Sequence, residues 1–236
     1  MTDISFKRIT NKIRWYFNPK YKKSYSQNGE DIIISRIFKN LNIHNGFYID
    51  VGTNHPKIYN NTYSLYKSGM TGICIEPDVD LCNKIKQIRP RDMVKNIGIS
   101  DKSGNLSYFA FKTKEYNTFS KEEAEKSIAQ GLIFDKKYDV PVTTLENILR
   151  DLLKVPDLIS LDIEGYDEQV IKSFDFTTYR PIVWCIETIT RKENLYVKNT
   201  SLIEYMVSKG YTVFADTHIN TIFVENKSME IIMRVN

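Results

Sequence analysis

Five acidic residues end or follow short apolar runs in the sequence, where carboxylates could hold a ligand or accept a proton. They are Asp50, Glu76, Asp162, Glu164 and Glu187. In an open α/β sheet, ligands bind outside the carboxyl ends of the strands, so acids at those ends share one crevice. Carboxylates in such a crevice can accept hydrogen bonds from hydroxyls or act as general bases. The pattern therefore predicts a ligand site at one edge of a sheet.

A turn within residues 46–56 should form the centre of this site. Residues 47–51 are an apolar run of aromatic and β-branched side chains, typical of a central strand covered on both faces. Gly52 follows and, lacking a Cβ, lets the backbone turn sharply and approach a ligand closely. A second run, residues 71–75, ends at Glu76, which lies 24 residues beyond Gly52. This separation is typical of nucleotide-binding folds.

The residues after Gly52 indicate which nucleotide binds. A dinucleotide site needs the pattern G-x-G-x-x-G, because backbone amides must hold a pyrophosphate. Here a single glycine is followed by polar residues and proline, namely Thr53, Asn54, His55 and Pro56. This composition disfavours an NAD-dependent oxidoreductase. A buried strand and turn that bind no ligand remain the structural alternative.

S-adenosylmethionine fits the turn better because it carries no phosphate. It needs a carboxylate for its ribose hydroxyls, which Glu76 offers, and polar groups around its zwitterionic methionine end. The candidates for that end are Asp50, Thr53 and Asn54 beside Gly52. Further predicted cofactor contacts are Pro77 after Glu76, Asn96 and Gly98 beside the adenine, and Ser26 and Gln27 before the first helix. Ser26 can instead act as a helix cap.

The remaining elements alternate in the manner of an α/β protein. Helices are predicted over residues 32–38, 60–69, 79–88, 121–128 and 202–207. Strands are predicted over residues 47–51, 71–76, 93–100, 106–111, 157–162, 181–188, 211–216 and 221–225, with the last two as an antiparallel pair. Residues 112–139 form a long crossover, which we expect either to carry acceptor specificity or to expose a solvated charged helix.

Charge is divided unevenly along the chain. Residues 1–23 hold seven bases and one acid, and the remainder holds 26 bases and 28 acids. Residues 1–24 are predicted to be a basic amphipathic segment packed on a single domain, residues 25–236. The alternative is that this segment contacts an anionic membrane or an acidic partner. No nucleic-acid partner is expected, and the oligomeric state is open.

Composition suggests a cytoplasmic protein. The content of 42% hydrophobic and 26% charged residues is ordinary for a soluble domain, and no apolar run approaches the ~18 residues of a membrane span. The start of the sequence lacks the apolar core of a signal peptide. The three cysteines, Cys74, Cys82 and Cys185, lie mostly in apolar runs, which suggests a reducing compartment.

From about Tyr25 to Glu187 the chain resembles the FkbM-family S-adenosylmethionine-dependent methyltransferases. The matching pieces are residues 26–31 (SQNGED), 48–56 (YIDVGTNHP), 61–62 (NT), 75–77 (IEP), 117–120 (NTFS), 161–165 (LDIEG) and 180–181 (RP). The commonest family turn is Gly-Ala-Asn, whereas this chain has Gly52-Thr53-Asn54. The resemblance implies a Rossmann-like methyltransferase fold of seven strands, the last pair antiparallel, and O-methylation of sugars or polyketide-like hydroxyls.

The leading hypothesis is an S-adenosylmethionine-dependent O-methyltransferase that acts on a sugar hydroxyl, with a nucleotide sugar or glycan precursor as the favoured acceptor. A catalytically inactive module that binds a membrane or partner through the basic N-terminus is the alternative.

Three residues are candidates for the general base, in the order Asp162, His55 and Glu187. Asp162 leads because the end of the predicted strand over 157–162 faces the transferable methyl in this fold, although imidazole titrates closer to neutral pH. A carboxylate could act if burial raised its pKa, or if Asp162 and Glu164 with His55 or Glu187 held a divalent cation. The metal is not favoured. His218 is expected to be a structural loop residue.

Overall fold

The structure is a computed structural model that describes residues 22–152, 154–192 and 195–235 of the 236-residue chain. The strands are β1 Phe47–Val51, β2 Thr71–Ile75, β3 Met93–Lys95, β4 Gly98–Ile99, β5 Gly104–Phe111, β6 Phe134–Thr143, β7 Leu158–Leu161, β8 Val183–Glu187, β9 Ile189–Lys192, β10 Leu195–Lys198, β11 Tyr211–Asp216 and β12 Asn220–Glu225. The helices are α1 Glu30–Asn40, α2 Tyr63–Lys67, α3 Val79–Ile88, α4 Lys121–Ala129, α5 Leu145–Arg150, α6 Asp167–Ser173, α7 Thr200–Ser208 and α8 Asn226–Val235, with a 3₁₀ turn at Lys114–Tyr116.

A seven-stranded sheet organises the protein in the order β11-β12-β8-β7-β1-β2-β3. The five neighbouring strands β8, β7, β1, β2 and β3 run parallel to one another. Strand β12 runs antiparallel to both of its neighbours, β8 and β11. The predicted Rossmann-like methyltransferase fold with a C-terminal antiparallel pair is therefore confirmed. The parallel strands bring the carboxyl ends of β1, β2, β7 and β8 to one edge.

The side chains of β1 are buried on both faces of the sheet, as expected for a central strand. Alternate side chains of a strand point to opposite faces, so Ile49 and Val51 pack on one side of the sheet and Tyr48 on the other. All three are at most 1% exposed. Asp50 shares the Tyr48 face, and this alternation decides its role in the site.

The predicted third strand, residues 93–100, is wrong as a single element. Only β3 joins the central sheet, whereas β4 pairs with β6 in a separate three-stranded sheet of order β4-β6-β5. Asn96 interrupts the strand because its side-chain amide donates to the carbonyls of Glu76 at 3.0 Å and Pro77 at 2.8 Å. Gly98 then lies beneath Phe119, where an added Cβ would approach the ring to 2.4 Å.

The crossover contains more structure than its composition predicted. Helix α4 matches the predicted charged helix over 121–128, and β6 forms a long antiparallel ladder with β5. Half of the side chains of β6 are exposed, and the charged residues Asp135, Lys136, Lys137 and Asp139 hide the short apolar alternation of Tyr138, Val140 and Val142. Strands β9 and β10 and helix α8 were also not predicted.

The sequence predicts that Tyr211, Val213, Phe214, Ile222, Phe223 and Val224 are buried at one edge of the sheet. Ile222, Phe223 and Val224 are completely buried, whereas Val213 is 38% exposed because β11 is the edge strand, so the prediction for Val213 is wrong. Residues 1–21 of the predicted N-terminal segment lie outside the described residues. Within the described part of the chain, no helix has both the length and the apolar character to cross a membrane.

Candidate active site

Two adjoining cavities lie at the carboxyl ends of the parallel strands. The first has about 90 Å³ of free space and is lined by the turn after β1, the end of β2, the loop after β7 and residues 114–119, which we call the roof. The second has about 530 Å³ and is lined by the roof, α4, β8, β9, β10 and the β11–β12 loop. Residues common to both are Gln27, Tyr59, Glu115, Thr118 and Glu164.

The first cavity gathers many of the predicted cofactor and catalytic residues. Gln27, Gly52, Asn54, His55, Glu76, Pro77 and Asp162 line it. Glu187 lines the second cavity, as does His218 in the β11–β12 loop. Asp50, Thr53, Ser26, Asn96 and Gly98 are outside both linings.

Gly52 lets two strand ends meet. Its φ is +73°, in the left-handed region that favours glycine. A Cβ at this position would lie 1.8 Å from the carbonyl oxygen of Asp162. The turn after β1 and the end of β7 therefore pack backbone against backbone, which brings Gly52 and Asp162 into the same lining.

Glu76 is buried at 3% exposure and held in a fixed orientation. Its Oε2 accepts the amide of Asn54 at 2.8 Å, and its Oε1 accepts the amide of Asp78 at 2.9 Å. Burial raises the pKa of Glu76 to about 7, against the lowering effect of the two amides. Each oxygen keeps a lone pair for a ligand hydroxyl, so the carboxylate is suited to a ribose diol.

Asn54 supplies an orphaned acceptor in the same cavity. Its φ is +50°, and its side-chain amide donates to the Lys114 carbonyl at 3.4 Å. Its Oδ1 is buried and has no hydrogen-bond partner within the described residues. A buried acceptor without a partner is costly, and a ligand ammonium or hydroxyl group would satisfy it. Together with the Glu76 carboxylate, this acceptor fits the hydroxyl and ammonium groups of S-adenosylmethionine.

Asp50 supports the turn from behind. Its Oδ2 accepts from Thr62 Oγ1 at 2.6 Å, Asn60 Nδ2 at 3.1 Å and Arg89 at 3.4 Å. Arg89 is fully buried. Burial raises the pKa of Asp50, and Arg89 opposes that rise. Thr53 donates to the Asp50 carbonyl at 2.8 Å, so both residues brace the turn from outside the cavity lining.

Ser26 is engaged in ordering the start of α1. Its hydroxyl donates to Asp31 Oδ1 at 3.0 Å and accepts the amides of Gly29 at 3.1 Å and Asp31 at 3.3 Å. Ser26 thus accepts one first-turn amide, as predicted, while Gly29 occupies the N-cap position itself. Gln27, the next residue, lines both cavities. The capping sequence therefore places Gln27 at the site while Ser26 holds the backbone.

The roof is held in place by side chains for which the sequence predicted no role in the site. Lys114 Nζ lies 2.6 Å from Asp78 Oδ2, and Asn117 Oδ1 accepts the Phe111 amide at 2.8 Å. Thr118 donates its hydroxyl to the Glu164 carbonyl at 2.7 Å. Phe119 packs against Tyr108 with 4.9 Å between ring centroids. The motif at residues 117–120, which resembles the FkbM family, was the sequence feature that could have indicated a role for this element.

The geometry of His55 disfavours it as a base. Its Nδ1 accepts the amides of Lys57 at 3.1 Å and Ile58 at 3.0 Å, so in the neutral ring the proton resides on Nε2. Neither nitrogen then has a free lone pair for a substrate proton. Partial burial, reinforced by Lys84, also lowers the pKa of His55. The His55 side chain instead stabilises the turn that follows it in the chain.

Asp162 is a better candidate base than His55 in both its position and its pKa. Burial, with Asp50 and Glu30 nearby, raises its pKa to about 6, closer to neutral pH than an ordinary aspartate. Asp167, whose pKa burial raises to about 7, accepts the Ile163 amide at 3.2 Å. Within the described residues, no hydrogen bond occupies the Asp162 carboxylate. It can therefore accept a proton in the first cavity.

Glu187 belongs to the second cavity. Burial raises its pKa well above the ordinary value, and the nearby carboxyls of Asp162 and Glu164 add to the rise. Among the described residues, no group of three or more His, Cys, Asp or Glu side chains is arranged to hold a metal ion.

Three solved structures illustrate the likeness of this fold to others. A TehB-like SAM-dependent methyltransferase from Corynebacterium glutamicum ATCC 13032 Kitasato is 12% identical over 94% of this chain and 96% of its own, with a TM-score of 0.41. Magnesium protoporphyrin IX methyltransferase (ChlM) from Synechocystis PCC 6803 with bound SAM is 8% identical over 83% and 77%, with a TM-score of 0.41. Monomeric WbdD is 10% identical over 90% and 45%, with a TM-score of 0.49.

Such low identities concern the fold and leave the acceptor open. No curated protein matched the sequence significantly. The family model of the methyltransferase FkbM domain matches residues 50–213, which is more than half of the chain and includes the turn after β1, Glu76, the roof and Asp162. The chain therefore belongs to the FkbM family of S-adenosylmethionine-dependent methyltransferases.

Proposed function

We propose that this methyltransferase acts on a hydroxyl group of a sugar, carried as a nucleotide sugar or glycan precursor, with Asp162 as general base. The observation that carries the proposal is the Asp162 carboxyl itself. Asp162 lines the first cavity with Gly52, and burial raises the pKa of its carboxyl to about 6. A sugar hydroxyl is a weak acid, so its attack on a methyl group benefits from such a base.

The first cavity is assigned to the cofactor. Glu76 would hold the ribose hydroxyls, and Asn54 Oδ1 would accept a hydrogen bond from the ammonium of the methionine end. Gly52 lets the backbone come close. When bound, S-adenosylmethionine supplies a methyl group activated by a positively charged sulfur.

Methyl transfer needs one proton acceptor from the protein. The bound cofactor would supply the methyl group to the acceptor oxygen and keep the electron pair of the broken bond on its sulfur, so the protein has only to take up the hydroxyl proton. The hydroxyl proton passes to the Asp162 carboxylate. The second cavity adjoins this point through Glu164 and Thr118, so it is the space available for the acceptor. Correct positioning of the two reactants supplies much of the remaining rate.

The roof controls entry to the first cavity. Its free space of about 90 Å³ is below the roughly 300 to 1,000 Å³ typical of ligand pockets, so we expect the lining, the roof included, to adjust when a nucleoside-sized ligand enters. The ion pair between Lys114 and Asp78 is the contact that this movement would stretch. The Thr118 hydrogen bond would stretch with it.

The proposal is tested by incubating the purified protein with labelled S-adenosylmethionine and a panel of nucleotide sugars and glycans. Label should appear on a carbohydrate oxygen, and transfer to none of them would contradict the proposal. Asp162→Asn should lower turnover by about 10²- to 10⁴-fold with cofactor affinity unchanged. Asp139→Asn, an exposed acid on β6, is the matched control and should keep wild-type turnover.

A further inference from the structure

Asn220, the first residue of β12, carries a buried acceptor atom that has no hydrogen-bond partner within the described residues. The residue is 2% exposed, and its side-chain Oδ1 is the orphaned atom. The other end of the same amide is occupied, because Nδ2 donates to Glu30 Oε1 at 3.2 Å. A buried acceptor without a donor is costly, so we looked for a group that could donate to Oδ1.

The orientation of the Asn220 amide is set by Glu30. Burial would raise the pKa of Glu30, but hydrogen bonds from the Thr217 hydroxyl and the Asn28 amide outweigh burial and lower it. Glu30 is therefore an ionised carboxylate that only accepts hydrogen bonds. Reversing the amide would place Oδ1 against this carboxylate, so Oδ1 must face away from Glu30.

Glu187 is the residue opposite Asn220 in the antiparallel pair of β12 and β8. Directly opposite side chains share a face of the sheet, with Cβ atoms about 4.5 to 5.5 Å apart. The shared face is the one that α1 covers, because Cys185 and Ile222 pack in the same core cluster as Ile37. Glu187 is thus placed beside the orphaned oxygen, and its carboxyl can donate only when it is protonated.

A second acid lies on the other side of Glu187. Leu161 of β7 is in register with Ile186 of β8, so Asp162 and Glu187 are the next residues on two adjoining parallel strands. Such strands are about 4.7 to 4.9 Å apart, and like charges this close disfavour ionisation of both groups. Burial, followed by the charge of Asp162, raises the pKa of Glu187 well above its ordinary value. The two acids therefore hold one proton between them at neutral pH.

We propose that Glu187 keeps this proton and donates it in a hydrogen bond to Asn220 Oδ1, which leaves Asp162 as the ionised member of the pair. The consequence for catalysis rests on the proposed function, in which Asp162 takes up the hydroxyl proton. Glu187 is then a positioning residue. Its hydrogen bond fixes the end of β8 beside the base, and its uncharged carboxyl adds no second negative charge there.

Other charged groups surround the pair. They are Glu115, Glu123, Glu164, Asp167 and His218 around Glu187, and Glu30, Asp50 and Asp167 around Asp162. The bases Arg89 and Lys126 are paired with Asp50 at 3.4 Å and with Glu123 at 2.8 Å. Because each of these groups can influence the titration of the pair, the proton has to be located on Glu187 itself.

Carbon-13 NMR of the full-length protein, labelled at the glutamate Cδ atoms, locates the proton without cofactor or acceptor. The Glu187 resonance is identified as the one that is lost in Glu187→Gln. At pH 7 this resonance should have the chemical shift of a protonated carboxyl, and it should move to that of a carboxylate only at higher pH. The chemical shift of an ionised carboxylate at pH 7 would overturn the proposal.

The role of Asn220 is tested with Asn220→Leu and Asn220→Ala. Without an acceptor for its proton, Glu187 should ionise at a pH about one unit lower. Asn105→Leu replaces an exposed amide on β5 and is the matched control, which should leave the titration unchanged. Circular dichroism spectra that match the wild type show which variants are folded. An unchanged midpoint in either folded Asn220 variant would overturn the assignment of Asn220 as the partner.

The pH profile of turnover connects the pair to catalysis. Glutamine is uncharged, as we propose for Glu187, so the acid midpoint of turnover in Glu187→Gln should equal that of the wild type. If Glu187 were ionised, loss of its charge would let Asp162 ionise more easily and lower this midpoint by about one unit, which would overturn the proposal. Glu187→Gln should also retain more turnover than Glu187→Ala. Absence of transfer to any carbohydrate would contradict the proposed function alone, since the NMR titration needs no acceptor.

Discussion

The two cavities are built in different ways although they share a wall. In the first, side chains are fixed by bonds to nearby backbone: Glu76 accepts two amides, and the carbonyl of Lys114 accepts from Asn54. The second, of about 530 Å³, is lined by residues from several separate segments, among them Glu115, Glu164 and Glu187. The first is thus built around fixed polar groups, whereas the second is assembled from distant parts of the chain. Changes to the first should affect cofactor binding and changes to the second should affect acceptor choice.

The largest effect is expected at the junction of the strand ends. Gly52→Ala would place a Cβ 1.8 Å from the Asp162 carbonyl and strain a φ of +73°. We expect a loss of about 2 to 5 kcal/mol in the free energy of unfolding and no measurable cofactor binding. Urea denaturation and calorimetry measure the two quantities.

The matched control is Gly69→Ala. Gly69 has a φ of +104°, but nothing lies within 4 Å of an added Cβ. It should lose only the cost of backbone strain, about 1 to 3 kcal/mol, and still bind cofactor. Equal losses in the two variants would show that the contact with Asp162 is unimportant.

Next in size is the effect of Glu76. Glu76→Ala would remove the charged, bidentate contact that we propose for the ribose, so affinity for S-adenosylhomocysteine should fall about 10- to 100-fold. Calorimetry measures this. Transfer of label to a sugar should be lost at low cofactor concentration and partly recovered at high concentration. Unchanged affinity would remove Glu76 from the cofactor site.

The same residue predicts a pH dependence. With a pKa of about 7 in the free protein, Glu76 is protonated below neutral pH, while ribose hydroxyls bind best to the ionised form. Cofactor binding therefore favours proton release, and affinity should be full at about pH 8 and fall up to ~10-fold by about pH 6. Glu76→Gln should bind more weakly and show a flat profile over this range. A parallel slope in both proteins would assign the titration to another group.

The smallest effect is expected at the roof. Lys114→Met removes the ion pair with Asp78, in which the lysine side chain is 30% exposed. The roof should open more readily, so S-adenosylhomocysteine should dissociate about 2- to 5-fold faster, in keeping with a partly screened pair. Stopped-flow fluorescence measures the rate. Lys121→Met, in an exposed pair with Glu125, is the control, and an equal change in both would exclude a specific role for the roof.

Sequence alone determined the features that depend on neighbours along the chain. The run before Gly52 specified a central strand, and Glu76 and Asp162 were placed at the ends of two further strands, directly after β2 and β7. Their side chains reach the first cavity because parallel strands end at one edge, a rule that needs no coordinates. The chain order of these motifs was also enough to indicate the family, which the family model confirms.

Tertiary structure decided which polar residues face a ligand and which brace the scaffold. Asp50 turns towards Arg89, 39 residues away, and the amides of Lys57 and Ile58 occupy His55 Nδ1. The roof and β6 depend on pairing with β5, and their own composition predicts no strand. The second cavity forms only on folding, because its lining residues Glu115, Glu164 and Glu187 come from separate segments. Periodicity reports which face a side chain occupies, but hydrogen-bond partners and electrostatic neighbours are set by contacts between distant residues.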